Sequence, residues 1–154
     1  MQNNDNDISR LNSLITTTID SVDGYREAAS DASSSTFRSI FLDRANERDS
    51  VVNELQAEVR NLGGTPDDSG SVLAGAHRVF VNLRDVIAGG DDKAVITEVE
   101  RGEDHIKAKY EAALADGDLS PNTITIIQHC YQSVKEGHDQ MRDLKHGVSA
   151  EATM

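Results

Sequence analysis

The chain has 154 residues, and its 27 acidic and 15 basic side chains give a formal net charge of −12. This length suits one domain with a substantial core, and the negative charge argues against nucleic acid and anionic membrane surfaces as partners. We find no apolar run of roughly 18 residues that would span a membrane and expect no secretory signal in the first ten residues. With Cys130 as the single cysteine, these features predict a cytoplasmic protein without an intramolecular disulfide.

Apolar residues recur at intervals of three and four along most of the chain, a spacing typical of helices in a bundle. Trp is absent and aromatic residues make up only 4% of the chain, so the core must consist mainly of aliphatic side chains. Residues 1–7 are predicted to be disordered and residues 147–154 to form a flexible tail. The predicted helices cover about 8–29, 36–62, 71–88, 92–115 and 120–145.

The short helix over 71–88 is predicted to cross between the second and third long helices. An all-α fold follows, a ferritin-like four-helix bundle over residues 8–146 with one long connection. Bundles of this type hold two metal ions with a Glu from each of two helices and a Glu-x-x-His from each of the other two. Six ligands are therefore expected on the inward faces of the long helices.

Three residues stand at positions where such a ligand is expected: Glu47 in the second helix, Glu103 in the third and His138 in the fourth. Glu103 lies seven residues before Tyr110 and borders the apolar face of its helix. His138 falls within the predicted seam of the fourth helix. That seam is predicted to contain Ile124, Ile127, Tyr131, Val134, His138 and Met141.

The other three expected ligands are missing. Thr18, seven residues before Tyr25, replaces the Glu of the first helix. Ser50, or Val51 in the alternative register, replaces a His, and Lys135 replaces the Glu three residues before His138. Three of six ligands with an ammonium group among them should not hold two divalent ions tightly.

Cationic side chains offer another partner for Glu103. Lys135, Arg44 or Arg48 would neutralise it directly, and both arginines project near the middle of the second helix's apolar stripe. A buried pair of this kind needs good geometry and complete hydrogen bonding. The sequence therefore predicts a metal site that has been replaced by a network of salt bridges.

Several stretches resemble bacterial ferritin-like four-helix-bundle proteins of a domain family of unknown function. They are "LNSLITTTIDSVDGYREAA" (11–29), "NELQAEVRNLGGTPDDSGS" (53–71), "HRVF" (77–80) and "ERGEDHIKAKYEAAL" (100–114). The resemblance implies the fold and no established reaction. The chain is more distantly similar to rubrerythrin-type sequences through Gly102, Glu103 and His138, which implies di-iron chemistry, but it departs from them at Thr18, at Ser50 or Val51, and at Lys135.

Two functional hypotheses follow. In the first, the protein is a non-catalytic bundle with a degenerate metal site that acts as a stress-related or interaction module, with no cofactor. It would pair with an unknown protein or form a homodimer through helix faces, for example through Phe80 and Leu83 of the crossover helix. In the second, the protein is a metal-dependent oxidoreductase or iron-binding protein, with iron or another divalent metal held by Glu47, Glu103 and His138.

Overall fold

A computed structural model describes residues 4–32, 34–69 and 92–153, and this part of the chain forms four α-helices and no strand. The prediction of an all-α four-helix bundle is confirmed. The crossover helix predicted over 71–88 lies outside the described residues. No described helix is long and apolar enough to cross a membrane. The helices are α1 (Asp5–Asp31), α2 (Ser35–Asn61), α3 (Asp92–Leu114) and α4 (Pro121–Thr153).

Each helix packs mainly against two neighbours: α1 against α2 and α3, and α4 against α3 and α2. Helices α2 and α3 therefore lie diagonally across the bundle from one another. Residues 32–34 join α1 to α2, and residues 115–120 join α3 to α4. Connections this short make each of these pairs an antiparallel hairpin.

Helix α1 begins at Asp5, three residues earlier than the predicted start at residue 8. Asp5 and Asp7 lie in its first turn, where negative charge is favourable. The buried Asp7 carboxylate also accepts hydrogen bonds from the hydroxyl groups of Ser120, at 2.6 Å, and Thr123, at 2.8 Å. Asp7 thereby ties the start of α1 to the N-terminus of α4.

Two other helix ends have clear physical causes. Helix α4 continues to Thr153, beyond the predicted helix end at residue 145; "SAEAT" contains two alanines and a glutamate, which favour helix, and no proline. Helix α2 ends in a glycine cap. Gly63 has a φ of 84°, and the N–H of Gly64 donates to the carbonyl of Val59 at 2.9 Å, as in a Schellman motif.

The buried apolar side chains form two clusters, one towards each end of the bundle. A polar layer made of Thr18, Ser21, Arg48 and Glu103 lies between them along the helices, and all four side chains are buried. The first cluster is centred on Leu11, Leu14, Ile15, Leu55, Ile106 and Tyr110, and the second on Val22, Tyr25, Phe41, Ala45, Ile96 and Val99.

The seam of α4 differs from the predicted one. Tyr131 and His138 are only half-buried, and the fully inward positions are instead taken by Ile127, Cys130, Val134, Gly137 and Met141. These residues also follow the three-and-four spacing. Gly137 has no apolar side chain, so it conceals the true seam from a hydrophobicity pattern and favours the neighbouring register through His138.

Candidate functional site

The centre of the bundle contains a fully buried ion pair between Arg48 and Glu103. Nη1 of Arg48 donates to Oε1 of Glu103 at 2.9 Å, and Nη2 donates to Oε2 at 2.5 Å. Neither side chain has any solvent exposure. This fork-to-fork geometry is the strongest pairing available to an arginine and a carboxylate. It spans the diagonal between α2 and α3, and it occupies both oxygens of Glu103.

Two residues of α1 complete the surroundings of the guanidinium. Nη1 of Arg48 also donates to the hydroxyl of Ser21 at 2.7 Å. The ring of Tyr25 lies beneath the guanidinium, with 5.7 Å between Cζ and the ring centroid, a distance suited to a cation–π contact. The charge of Arg48 is therefore stabilised from three sides.

Charges and burial act together on the titration of this layer. Burial alone would lower the pKa of Arg48, but the carboxylate of Glu103 raises it above its ordinary value. Burial raises the pKa of the Tyr25 hydroxyl well above its usual range, and the negative charge of Glu103 adds to the shift. Arg48 thus remains charged and Tyr25 protonated at neutral pH.

Gly137 on α4 leaves room for the ion pair. A Cβ atom at this position would overlap Nη2 of Arg48 and would lie 2.7 Å from Oε2 of Glu103. Both distances are too short for a real side-chain carbon. The close approach of α4 to the ion pair therefore requires glycine at this position.

Thr18, predicted to replace a metal-binding Glu, has a structural partner. Its hydroxyl donates to the carbonyl of Leu14 at 2.6 Å and lies 2.8 Å from the hydroxyl of Tyr110. Since the single Thr18 proton is used towards Leu14, Tyr110 is the donor in the second bond. Burial raises the pKa of Tyr110. The two hydroxyls form a closed pair beside the ion pair.

Glu47 lies apart from Glu103, at the edge of the bundle, with 39% of its side chain exposed. Oε2 of Glu47 accepts from Nη1 of Arg44 at 2.7 Å, and Oε1 accepts from the hydroxyl of Ser133. Arg44 uses its other terminal nitrogen to bond Oε1 of Gln140 at 2.6 Å. This network links α2 to α4 and occupies both oxygens of Glu47.

His138 also has partners other than the predicted ones. Its Nε2 lies 2.5 Å from Oδ1 of Asp104 on α3, and its Nδ1 lies 3.3 Å from Oδ1 of Asp139. Lys135, 53% exposed, pairs with Asp139 at 3.9 Å. Of the three cations considered for Glu103, the structure thus selects Arg48, and the predicted salt bridge to a neighbouring cation is confirmed.

The central residues do not fit a pair of divalent cations. A guanidinium lies where Glu103 would need to face a metal, and the first-helix position offers a neutral Thr18 hydroxyl that is already bonded. Within the described residues, the ligand atoms of Glu47, Glu103 and His138 do not converge as a set within 4.8 Å of one another. Whether these three residues bind a metal remains a prediction that the geometry does not favour.

Comparison with models of known protein families identifies the family of the chain. The model described as "Domain of unknown function (DUF2383)" matches residues 6–116, so the chain belongs to this family. The match includes Arg48 and Glu103 and ends before α4, which carries Gly137 and His138. A comparison with curated proteins found no significant match.

Proposed function

Given this family membership, we propose that the protein is a non-catalytic helical bundle that acts as an interaction module through its surface, with a degenerate metal site at its centre. The observation that carries the proposal is the buried, doubly hydrogen-bonded pair of Arg48 and Glu103. The carboxylate best placed for chemistry is committed to an internal structural contact.

The side chain paired with Glu103 is that of Arg48, and its positive charge is permanent. Its guanidinium does not lose its proton at any physiological pH, so it cannot give way to a metal as a neutral lysine or histidine would. Displacing the Arg48 side chain to admit a divalent ion would also leave Ser21 and Tyr25 facing a gap in the core. These costs support a structural role for the centre.

The proposal includes a ferritin-like relationship, which the four-helix architecture supports, and a stress-related role. A bacterial origin is expected from the resemblance, and a cytoplasmic location is expected from the composition. The partner is an unknown protein or a second copy of this chain. Light scattering after size-exclusion chromatography at two protein concentrations distinguishes these: a mass that rises to two chains supports self-association, and a constant single-chain mass points to another protein.

The competing function is a metal-dependent oxidoreductase that uses Glu47, Glu103 and His138. To test it, chelator-treated protein is loaded anaerobically with Fe(II) and exposed to oxygen or hydrogen peroxide while iron oxidation is followed. We expect a rate no higher than that of Fe(II) alone. Acceleration that disappears in Glu103→Gln but persists in Asp68→Asn, an exposed carboxylate in the loop after α2, would overturn the proposal.

A further inference from the structure

A group of metal-ligating side chains lies outside the central layer, where α3 and α4 face each other. We propose that Glu100, Asp104 and His138 bind a single divalent transition-metal ion. Each offers one ligand atom, and these atoms all lie within 4.8 Å of one another. The inference does not depend on the proposed function, because Glu103, turned towards Arg48, contributes nothing to this group.

The helices already present the three ligands to a common point. Glu100 and Asp104 are four residues apart on α3, so they share one face of that helix. His138 reaches the same face from α4, and its Nε2 is in contact with Asp104 at 2.5 Å. Ligand atoms bound to one ion at about 2.0–2.2 Å lie roughly 3–4 Å apart. Asp104, 62% exposed, has the freedom to make this small adjustment.

The orientation of the imidazole provides an independent argument. Nδ1 of His138 faces Oδ1 of Asp139 at 3.3 Å, while Nε2 faces the carboxylate of Asp104. Histidine ligands of metals commonly donate their second ring nitrogen to a carboxylate, which fixes the tautomer and turns the other nitrogen to the ion. Asp139 is outside the ligand set and supplies this support. A histidine held only by a salt bridge would need one carboxylate, whereas this ring lies between two.

The ligand types select the class of metal. One imidazole and two carboxylates suit Zn²⁺, Fe²⁺, Co²⁺ or Mn²⁺ better than Mg²⁺ or Ca²⁺, which prefer oxygen ligands alone. Two carboxylates balance the charge of a divalent ion, and the net charge of −12 attracts cations to the surface. With only three protein ligands, the remaining coordination positions would be filled by water.

Lys145 is the competitor for this site. Its Nζ lies 3.3 Å from Oε2 of Glu100, and its side chain is 38% exposed, so it can turn away into solvent when an ion binds. The metal must displace this ammonium group and separate Asp104 from His138. Affinity should therefore be limited by existing contacts, and removing the lysine charge should strengthen binding.

The test is titration of the chelator-treated full chain with Co²⁺, followed by calorimetry and visible absorption. We expect saturable binding of one ion, with absorption bands of a site that contains nitrogen. His138→Ala should weaken binding by about tenfold or more, and Asp104→Asn should do the same without disturbing the core. His129→Ala is the matched control, because His129 lies on the same helix, is 71% exposed and pairs with Glu54, outside the proposed ligand set.

A gain of affinity separates metal binding from a merely structural cluster. Lys145→Met should tighten Co²⁺ binding several-fold, a change that a structural ion pair has no reason to produce. The proposal is overturned if the unmodified protein shows no saturable binding, if His138→Ala and His129→Ala weaken it equally, or if Lys145→Met leaves it unchanged. Circular dichroism of each variant verifies that the helices are intact.

Discussion

Gly137 on α4 lies directly against the guanidinium of Arg48 on α2, with no space between them for a side-chain carbon. This contact explains why a glycine occupies the middle of a long helix, where it would ordinarily cost about 1 kcal/mol relative to alanine. A substitution of Gly137 can therefore test the position of the ion pair without removing a charge.

Gly137→Ala should destabilise the protein by about 1–3 kcal/mol, because overpacking against Arg48 and Glu103 outweighs the gain in helix propensity. Urea unfolding measures the change. Gly117→Ala is the matched control: a Cβ there meets no atom within 4 Å, so its effect should stay within about 1 kcal/mol. Equal stability of the two variants would mean that the ion pair does not lie against α4.

Loss of one partner of the central ion pair should be far more damaging than loss of one at the surface. Glu103→Leu or Arg48→Met should cost about 3–5 kcal/mol, since each leaves a buried charged group without its partner. The combined variant Arg48→Met/Glu103→Leu should cost much less than the sum. Unfolding free energies of the four proteins in this cycle give the coupling energy.

The control for this cycle is the exposed pair of Arg26 and Asp49, 2.7 Å apart with each side chain 50% exposed. Arg26→Met should change stability by no more than about 1 kcal/mol, because solvent screens such pairs. A coupling energy between Arg48 and Glu103 of no more than about 1 kcal/mol would show that the buried ion pair contributes no more to stability than a solvent-exposed pair.

Cys130 should make the protein sensitive to alkali. Burial, with the negative charge of Glu54, raises the pKa of its thiol to about 12 from an ordinary value of 9.0. The folded protein therefore holds this proton more tightly than the unfolded chain, so stability is complete below about pH 9 and falls as the pH rises towards 12. The slope from this group is at most about 1.4 kcal/mol per pH unit.

Cys130→Ala should flatten that slope between about pH 8.5 and 9.5, where the thiol titrates in the unfolded chain ahead of the tyrosines, whose ordinary pKa is about 10. Urea unfolding at several pH values in this window measures it for both proteins. Parallel pH dependence in the two would show that the thiol is not the group responsible.

Asp7 should stabilise the junction between α1 and α4. Asp7→Asn weakens the hydrogen bonds from the Ser120 and Thr123 hydroxyls and should cost about 1–2 kcal/mol, the usual range for loss of a helix cap. Asp68→Asn, at an exposed loop position, should be nearly neutral. Hydrogen exchange at the first turn of α4 should become faster in the first variant only; unchanged exchange would contradict the role given to Asp7.

The sequence was informative about the helices because the three-and-four spacing of apolar residues marks their buried faces. Leu11, Ile15, Val22 and Tyr25 follow this spacing in α1, and all four are buried. The same method failed in α4, where Gly137 occupies a core position without being apolar. The early start of α1 was missed because it depends on Asp7 contacting residues more than a hundred positions away.

The sequence predicted a salt bridge to Glu103 at the centre of the bundle, but not which cation forms it. The arginines within the apolar stripe of α2 indicated a buried salt bridge, yet three cations were compatible with Glu103. The choice of Arg48 depends on the diagonal placement of α2 and α3 and on the space left by Gly137. The cluster of Glu100, Asp104 and His138 was missed, although the four-residue spacing of Glu100 and Asp104 was a signal that could have indicated it.

We propose that Arg48 takes the place of a metal beside Glu103. The most direct test is anaerobic Fe(II) titration of chelator-treated Asp104→Asn protein, in which the proposed peripheral site is disabled while Glu47, Glu103 and His138 are all kept, with iron quantified after desalting. We expect no retained iron, in this variant and in Asp104→Asn/Glu103→Gln alike. Retention of about two irons per chain, the number held by a di-iron bundle, and its loss on adding Glu103→Gln would show that a metal binds beside Glu103 in spite of Arg48.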